Sequence, residues 1–504
     1  MSVRIPAWRR LALGFACLVL TGGTIAAAGV SAATSYAASL GSHGSARWTP
    51  GTPVHVNLRA MTPGTWKQQL WSGTCALPGP PPRRAAQPRG PRDGRPCEDH
   101  EQHLVQRRGQ RRGHPPPAVR LHRGLRRVCK ASRPIGLSVT HAQPSGLCDG
   151  GVNLVGMEMH YAAFDQATGP IAGTNYPVHD TRLIDYLVSR HVSVIRFLFA
   201  WEGMQSVLNG PIPAAPAGAY RAYYDNYRRI VEYATSKGVR VIVEPWQANS
   251  DGGAGGAMWR GQLVGSATAP VSAFADFWAK MAALFAGNPR VSFGLVNEPN
   301  NMSTMQWWTA AQAAVTAIRQ AGATQQILVP GNDYSAASQW TNDWYDTDAV
   351  RHSNAYGWLN AGGPGKPLAD PLSNTIVEVH TYLDPDEGGS STQITSVTAA
   401  RTHLANVVDE ARAHGYRVFL GEIGFWAGQT TDDGRPARDA WNDFVAYAKA
   451  NADTLLGWTW WATGAPGWWD DVAANGGGHY ATTPTNSATF SGDTVNMTMI
   501  QGDF

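Results

Sequence analysis

No cysteine follows Cys148 in this chain of 504 residues. The five cysteines are Cys17, Cys75, Cys97, Cys129 and Cys148, and their spacing fits no metal site. Everything beyond Cys148 must therefore hold together by burying apolar surface. Charge is also scarce: Asp, Glu, Lys and Arg make up 15% of the chain against 43% hydrophobic residues, enough apolar material for a sizeable core. No apolar run beyond the first segment is long enough to span a bilayer. That first segment places Arg4, Arg9 and Arg10 before Leu11–Leu20, a run too short to span, with small residues after it. It reads as a secretory signal over residues 1–37, with Val30-Ser31-Ala32 or Ser35-Tyr36-Ala37 as cleavage sites. Cys17 lies inside the apolar run, which argues against a lipid anchor. The expectation is an exported, extracellular protein with no membrane contact after signal removal.

Acidic residues are rare in the first quarter of the chain. Residues 1–134 hold 19 Arg and 2 Lys against 4 Asp or Glu, whereas the remainder holds 20 basic and 33 acidic residues. The basic excess peaks between Arg83 and Arg133, in runs such as Arg107-Arg108-Gly109-Gln110-Arg111-Arg112. Pro80–Pro82 and Pro115–Pro117 break any periodicity. High net charge, little apolar content and frequent proline predict disorder over residues 38–149. An Arg-rich tract can bind nucleic acid, but this one has no interleaved aromatics and no helical face, so no nucleic-acid partner is expected. Its Arg, Pro, Gly and His bias resembles translation of GC-rich DNA in a second reading frame.

From Gly151 the pattern alternates. Strand-like apolar runs occur at Val152–Met157, Val194–Phe199, Val239–Val243, Val291–Val296, Ile327–Pro330, Ile376–Val379, Val418–Leu420 and Leu455–Trp460. Helical segments lie between most of them: Tyr220–Lys237 before Gly238, Val271–Ala286 before Gly287, Ser303–Ala321 before Gly322, and Thr395–His414 before Gly415. Serine at the start and glycine just past the end are the expected caps. Eight strands alternating with helices predict an α/β fold, a closed (β/α)8 TIM barrel over residues 150–504. Such a barrel gathers the carboxyl ends of all its strands on one face, where active sites sit.

The strand ends then become site candidates. The second strand carries Arg196, the third runs into Glu244-Pro245-Trp246, and the fourth ends at Asn297-Glu298-Pro299. The sixth ends at His380 and Tyr382, the seventh at Glu422, and the eighth at Trp460-Trp461. Each has a bland reading: Arg196 neutralising a buried acid, His380 a structural histidine, Trp461 a plug at the rim. Packing does not explain all of them at successive strand ends. Two carboxylates brought together at one mouth, Glu298 and Glu422, are what cleavage of a glycosidic bond requires. The chain has 20 tryptophans. About half are expected in the core and the rest as flat platforms for a sugar.

The ordered segments Gly151-Val152-Asn153-Leu154-Val155-Gly156, Trp201-Glu202-Gly203-Met204-Gln205, Leu295-Val296-Asn297-Glu298-Pro299, Glu378-Val379-His380-Thr381-Tyr382, Phe419-Leu420-Gly421-Glu422 and Gly457-Trp458-Thr459-Trp460-Trp461 resemble those of family 5 glycoside hydrolases of the secreted endo-β-1,4-glucanase type. The resemblance implies a retaining hydrolase with Glu298 as general acid/base and Glu422 as nucleophile. It implies that Asn297 bonds the sugar 2-hydroxyl and that Arg196 and Tyr382, with His380 beside them, hold Glu422. It places Trp461 under the sugar next to the cleaved bond. Between a cation and a phenol, Glu422 is expected to stay ionised. One departure stands out: where the family has His after the third strand, this chain has Trp246, a substrate-binding position that bears on preference. The implied substrate is a β-glucan polysaccharide, with no metal, no cofactor and a monomeric enzyme. A β-mannanase or mixed-linkage glucanase on the same scaffold, or a glycan-binding protein without activity, are the alternatives. In this setting residues 38–149 read as a degenerate carbohydrate-binding module and linker, or as the reading-frame product.

Overall fold

The computed structural model describes residues 2–5, 36–39, 44–48, 54–58, 65–70 and 137–142, and residues 149–504 apart from 159–166, 247–255, 344–350 and 470–477. The chain divides into two units, Met1–Pro144 and Ser145–Phe504. In the first unit, Ser2–Ile5, Tyr36–Ser39, Gly44–Trp48 and Val54–Leu58 form a four-stranded antiparallel sheet, and Thr65–Leu70 pairs antiparallel with Leu137–Ala142. These short strands stand at the edges of the segment expected to be disordered or degenerate. They lie outside the Arg-rich stretch, and Val54-His55-Val56-Asn57-Leu58 has the period-2 alternation of a strand. The expected disorder between Arg83 and Arg133, and the apolar run of the signal, fall outside the described residues.

The second unit is the expected barrel. Its strands are β1 (Asp149–Val155), β2 (Val194–Phe199), β3 (Arg240–Pro245), β4 (Val291–Gly294), β5 (Ile327–Pro330), β6 (Thr375–Tyr382), β7 (Val418–Gly424) and β8 (Leu455–Gly464). Each pairs in parallel with the next, and β8 closes onto β1, with Trp460 opposite Val152. Helices fill the crossovers, among them Thr181–Ser189, Ala219–Ser236, Val271–Phe285, Thr304–Gln320, Ala399–His414 and Ala437–Ala450. Some caps are those the sequence indicates, but Val271–Phe285 starts after Pro270 and Ala399–His414 after Thr398, neither with a side-chain cap. The Ser303 hydroxyl accepts from the Gln306 amide, and Gly415 ends its helix at φ +74°, a conformation that favours glycine.

Alternate residues along the strands separate two environments. Ile195, Phe197, Val241, Val243, Phe293, Val377 and Val379 point outward and join one apolar cluster with helix residues. Tyr223, Tyr227, Val231 and Ala234 of helix 219–236 supply one face of it, at the spacing of a helical stripe. Val194, Ile242, Leu328, Ile376 and Phe419 form a separate buried cluster with Leu456, and every member comes from a strand. It is the floor of the barrel interior. Burying each such side chain stabilises the fold by roughly 1.5–3 kcal/mol. Among the described residues nine tryptophans are buried, including Trp278, Trp307, Trp308, Trp441, Trp458 and Trp460.

Candidate active site

Two residues beyond the floor, the same strands carry charge. Val194 is followed inward by Arg196, Ile242 by Glu244, and Ile376 by Glu378, because side chains of one parity share a face. Arg196 is fully buried and is the hub of this layer. Its Nη2 donates to Glu244 Oε1 at 2.6 Å and to Asn297 Oδ1 at 2.7 Å. Its Nε donates to Glu244 Oε2 at 2.9 Å and lies 2.8 Å from Glu378 Oε1. Its Nη1 donates to Asn153 Oδ1 at 2.8 Å and to Glu422 Oε1 at 2.9 Å.

Strict alternation would turn Glu422 away from this hub, because Phe419 and Gly421 already take the inward parity. A bulge in β7 corrects this. Leu420 pairs with Val379, but the next pair is Glu422 with His380, so one residue of β7 is skipped. Bulges re-aim side chains in this way. The extra residue is Gly421, whose carbonyl accepts from Asn153 Nδ2 and from the Thr459 hydroxyl. A Cβ there would sit 2.1 Å from Glu378 Oε1, so only glycine fits. Gly294 of β4 makes the same allowance for Glu244, whose Oε2 would lie 2.0 Å from an added Cβ.

Above the hub, the Tyr382 hydroxyl donates to Glu422 Oε2 at 2.6 Å. His380 Nδ1 lies 2.8 Å from Glu298 Oε1 and 3.6 Å from Glu422 Oε1, and its Nε2 lies 3.3 Å from Glu378 Oε1. Glu298, His380 and Glu422 each present an atom within 4.8 Å of the other two. Glu298 adopts φ +45° directly before Pro299, a left-handed conformation that costs a side-chain-bearing residue on the order of 1–3 kcal/mol. Strain of this kind collects at functional sites.

The electrostatics follow from burial and from these contacts. Burial opposes the His380 imidazolium, but Glu422, Glu298 and Glu378 outweigh it and push its pKa up to about 10. Both ring nitrogens then donate to carboxylates. Burial, followed by the charge of Glu298, raises the Glu422 pKa, while His380, Arg196 and the Tyr382 hydroxyl pull it down. The sequence indicates those partners but not the burial that opposes them. Burial also lifts Glu158, just past β1, to about 7.

Asn297, Trp246 and Trp461 complete the mouth. Asn297 spends its oxygen on Arg196, and its buried Nδ2 has no hydrogen-bond partner. Trp246 and Trp461, both part-exposed, pack with Trp469 against Val155, Leu198 and Ala462, the inward layer above Arg196. Trp460 instead points into the core, its Nε1 donating to the Tyr480 carbonyl. All eight residues singled out in the sequence thus converge on one end of the barrel. Sequence reasoning named Glu244 at a strand end without giving it a role, and passed over Asn153 and Glu378 as members of the site. Their signal was present: a polar residue at an inward position of an otherwise apolar parallel strand.

A closed parallel barrel with two carboxylates and an ordered arginine at the carboxyl ends of its strands has the layout of a glycoside hydrolase. Residues 148–464 match the model of the cellulase family, glycosyl hydrolase family 5, and the chain belongs to that family. It is 29% identical to Endoglucanase 1 of Robillarda sp. over 59% of this chain and 71% of that protein. It is 29% identical to Endo-beta-1,4-glucanase B of Emericella nidulans over 68% of this chain and 89% of that protein. Among solved structures, XacCel5A in complex with cellopentaose superposes with a TM-score of 0.59 at 29% identity, covering 71% of this chain and 99% of that one. Pseudomonas stutzeri endoglucanase Cel5A superposes at 0.55 with 25% identity, covering 71% and 94%.

Proposed function

We propose that this protein is an endo-β-1,4-glucanase that hydrolyses cellulose or soluble β-glucan with retention at the anomeric carbon. The observation that carries this reading is the approach of Glu298 and Glu422 oxygens to within 4.8 Å. Retaining enzymes hold their carboxyl groups about 5–5.5 Å apart, and inverting ones about 6.5–9.5 Å apart to admit a water. Glu422 attacks the anomeric carbon as Glu298 gives its proton to the departing oxygen. The bond to the leaving sugar breaks and a glycosyl ester forms on Glu422. Water then attacks the same carbon, Glu298 takes its proton, and Glu422 leaves as the carboxylate. Arg196 and the Tyr382 hydroxyl hold Glu422 at one angle throughout, and His380 bridges it to Glu298. The free Asn297 Nδ2 donates to a sugar hydroxyl, and Trp461 and Trp246 offer faces to the sugar rings. The curated relatives are named as endoglucanases, and a solved relative holds cellopentaose, which supports a β-1,4-glucan chain as substrate.

Product analysis on carboxymethylcellulose, mannan and mixed-linkage glucan, with the anomer followed by proton NMR, tests this. Shortened β-1,4-glucan products appearing first as the β-anomer are expected. Mannan as the preferred polymer, or first-formed α-anomer, would overturn the reading. We also propose that the enzyme acts outside the cell as a monomer after loss of residues 1–37. A mature exported protein that retains Met1 would contradict this.

A further inference from the structure

The layer beneath the catalytic carboxylates has a charge problem that the reaction does not explain. Arg196 and the imidazolium of His380 supply two positive charges. Glu244, Glu378 and Glu422 are all fully or almost fully buried and would supply three negative ones. A buried charge without a partner is costly. Glu378 is the weak point: its Oε2 is buried and has no hydrogen-bond partner. The single Nε–H of Arg196 is directed to Glu244, so Glu378 keeps only the long contact to His380 at 3.3 Å and the charge of Arg196. Glu244 Oε2 and Glu378 Oε1 crowd the same nitrogen, at 2.9 and 2.8 Å from Arg196 Nε. Gly294 and Gly421 leave the space in which both carboxyl groups sit.

We propose that Glu244 and Glu378 hold one proton between them, and that as a positioning pair they keep this layer neutral so that Glu422 stays charged. The proton supplies a donor between two carboxyl groups that share one N–H. It also leaves two negative charges against two positive ones. Burial, with the charge of Glu378, lifts the Glu244 pKa to about 8 against the pull of Arg196, while Arg196 and His380 outweigh burial and hold Glu378 below the usual carboxylate range. A proton resident on Glu244 and donated to Glu378 agrees with both directions. The other ionisable groups facing the layer are Arg196 of β2, His380 and Tyr382 of β6, Glu422 of β7, Glu298 after β4, Glu158 after β1 and Tyr227 of the helix outside β2. Tyr227 and Tyr382 are held neutral chiefly by burial, so neither supplies a compensating charge.

The proposal rests on Glu422 acting as the nucleophile, and its test separates the two. Glutamine in place of either acid mimics the shared proton, because the remaining acid then carries the single negative charge. In Glu244→Gln and Glu378→Gln the acidic limb of kcat/KM on a soluble cello-oligosaccharide should stay within about 0.3 pH unit of wild type, whatever happens to kcat. The double substitution removes the last negative charge and should move that limb down by about one unit. Either single variant shifting the limb as far as the double one would overturn the proposal. Infrared spectroscopy of the full chain at pH 6.5 needs no turnover. In a Glu158→Gln, Glu298→Gln protein a protonated-carboxyl stretch should remain, and adding Glu244→Gln should reduce it by the intensity of one carboxyl. No loss of intensity on adding Glu244→Gln would overturn the proposal even if catalysis by Glu422 stands.

Discussion

Val194, Ile242 and Ile376 stand one pleat below Arg196, Glu244 and Glu378 on the same three strands. The lower set forms a dry apolar floor, and the upper set is a network of ions. Backbone, strand pairing and burial are alike in the two layers, so side-chain chemistry alone distinguishes them. The floor gains from the hydrophobic effect and tolerates any shape that fills it. The charged layer gains little net stability from its ion pairs, since desolvation offsets much of the Coulomb attraction. Its return is geometric: Arg196, Tyr382 and His380 fix one carboxylate. In this barrel stability and chemistry are stacked along the strands.

Substitutions in the two layers should therefore fail differently. The largest effect is expected from Glu422→Gln, with turnover of carboxymethylcellulose falling by at least about a thousandfold while oligosaccharide binding by calorimetry stays near wild type. Glu298→Ala should lose roughly a hundredfold to ten-thousandfold on the polymer, yet recover on aryl cellobiosides with good leaving groups, with azide speeding its second step. In the floor, Ile376→Ala should cost about 2–5 kcal/mol by denaturant titration and leave kcat at low temperature almost unchanged. A kcat loss matching that of the catalytic variants would break the separation of the layers.

Two smaller effects sharpen the comparison. The His380 pKa is raised from 6.5 to about 10 on folding, so its stabilising contribution is full below about 6.5 and is lost as pH rises through 10. Folding stability should decline across that window, and His380→Asn should flatten the decline. Because burial raises the Glu422 pKa and the carboxylate is the reactive form, activity should be lost as pH falls through a value above the usual 4.5. The smallest effect is expected from removing residues 1–148. All eight barrel strands lie beyond them, so activity on soluble glucan should be unchanged.

The barrel was legible because eight apolar runs and their glycine stops recur in order. The residues at the mouth were legible because polar side chains at strand ends stand out against apolar runs. Glu422 is the instructive case. Counting by twos from Phe419 would have turned it outward, and only the bulge at Gly421 brings it to Arg196. The one local hint of a bulge in Phe419-Leu420-Gly421-Glu422 is the lone glycine, and what keeps it glycine is a distant carboxylate, that of Glu378. Glu244 and Glu378 were harder still. An acid inside a strand is explained only by the partner that buries with it, and Arg196 lies 48 residues from Glu244 along the chain.

The account stands or falls on a covalent bond to Glu422. Incubation with a 2-deoxy-2-fluoro cellobioside bearing a good leaving group should slow release of the glycosyl-enzyme enough for it to accumulate. Mass spectrometry of the intact protein should then show one added fluorocellobiosyl group, and peptide mapping should place it on Glu422. Label on another residue, or no label in protein that cleaves the unfluorinated analogue, would contradict the account.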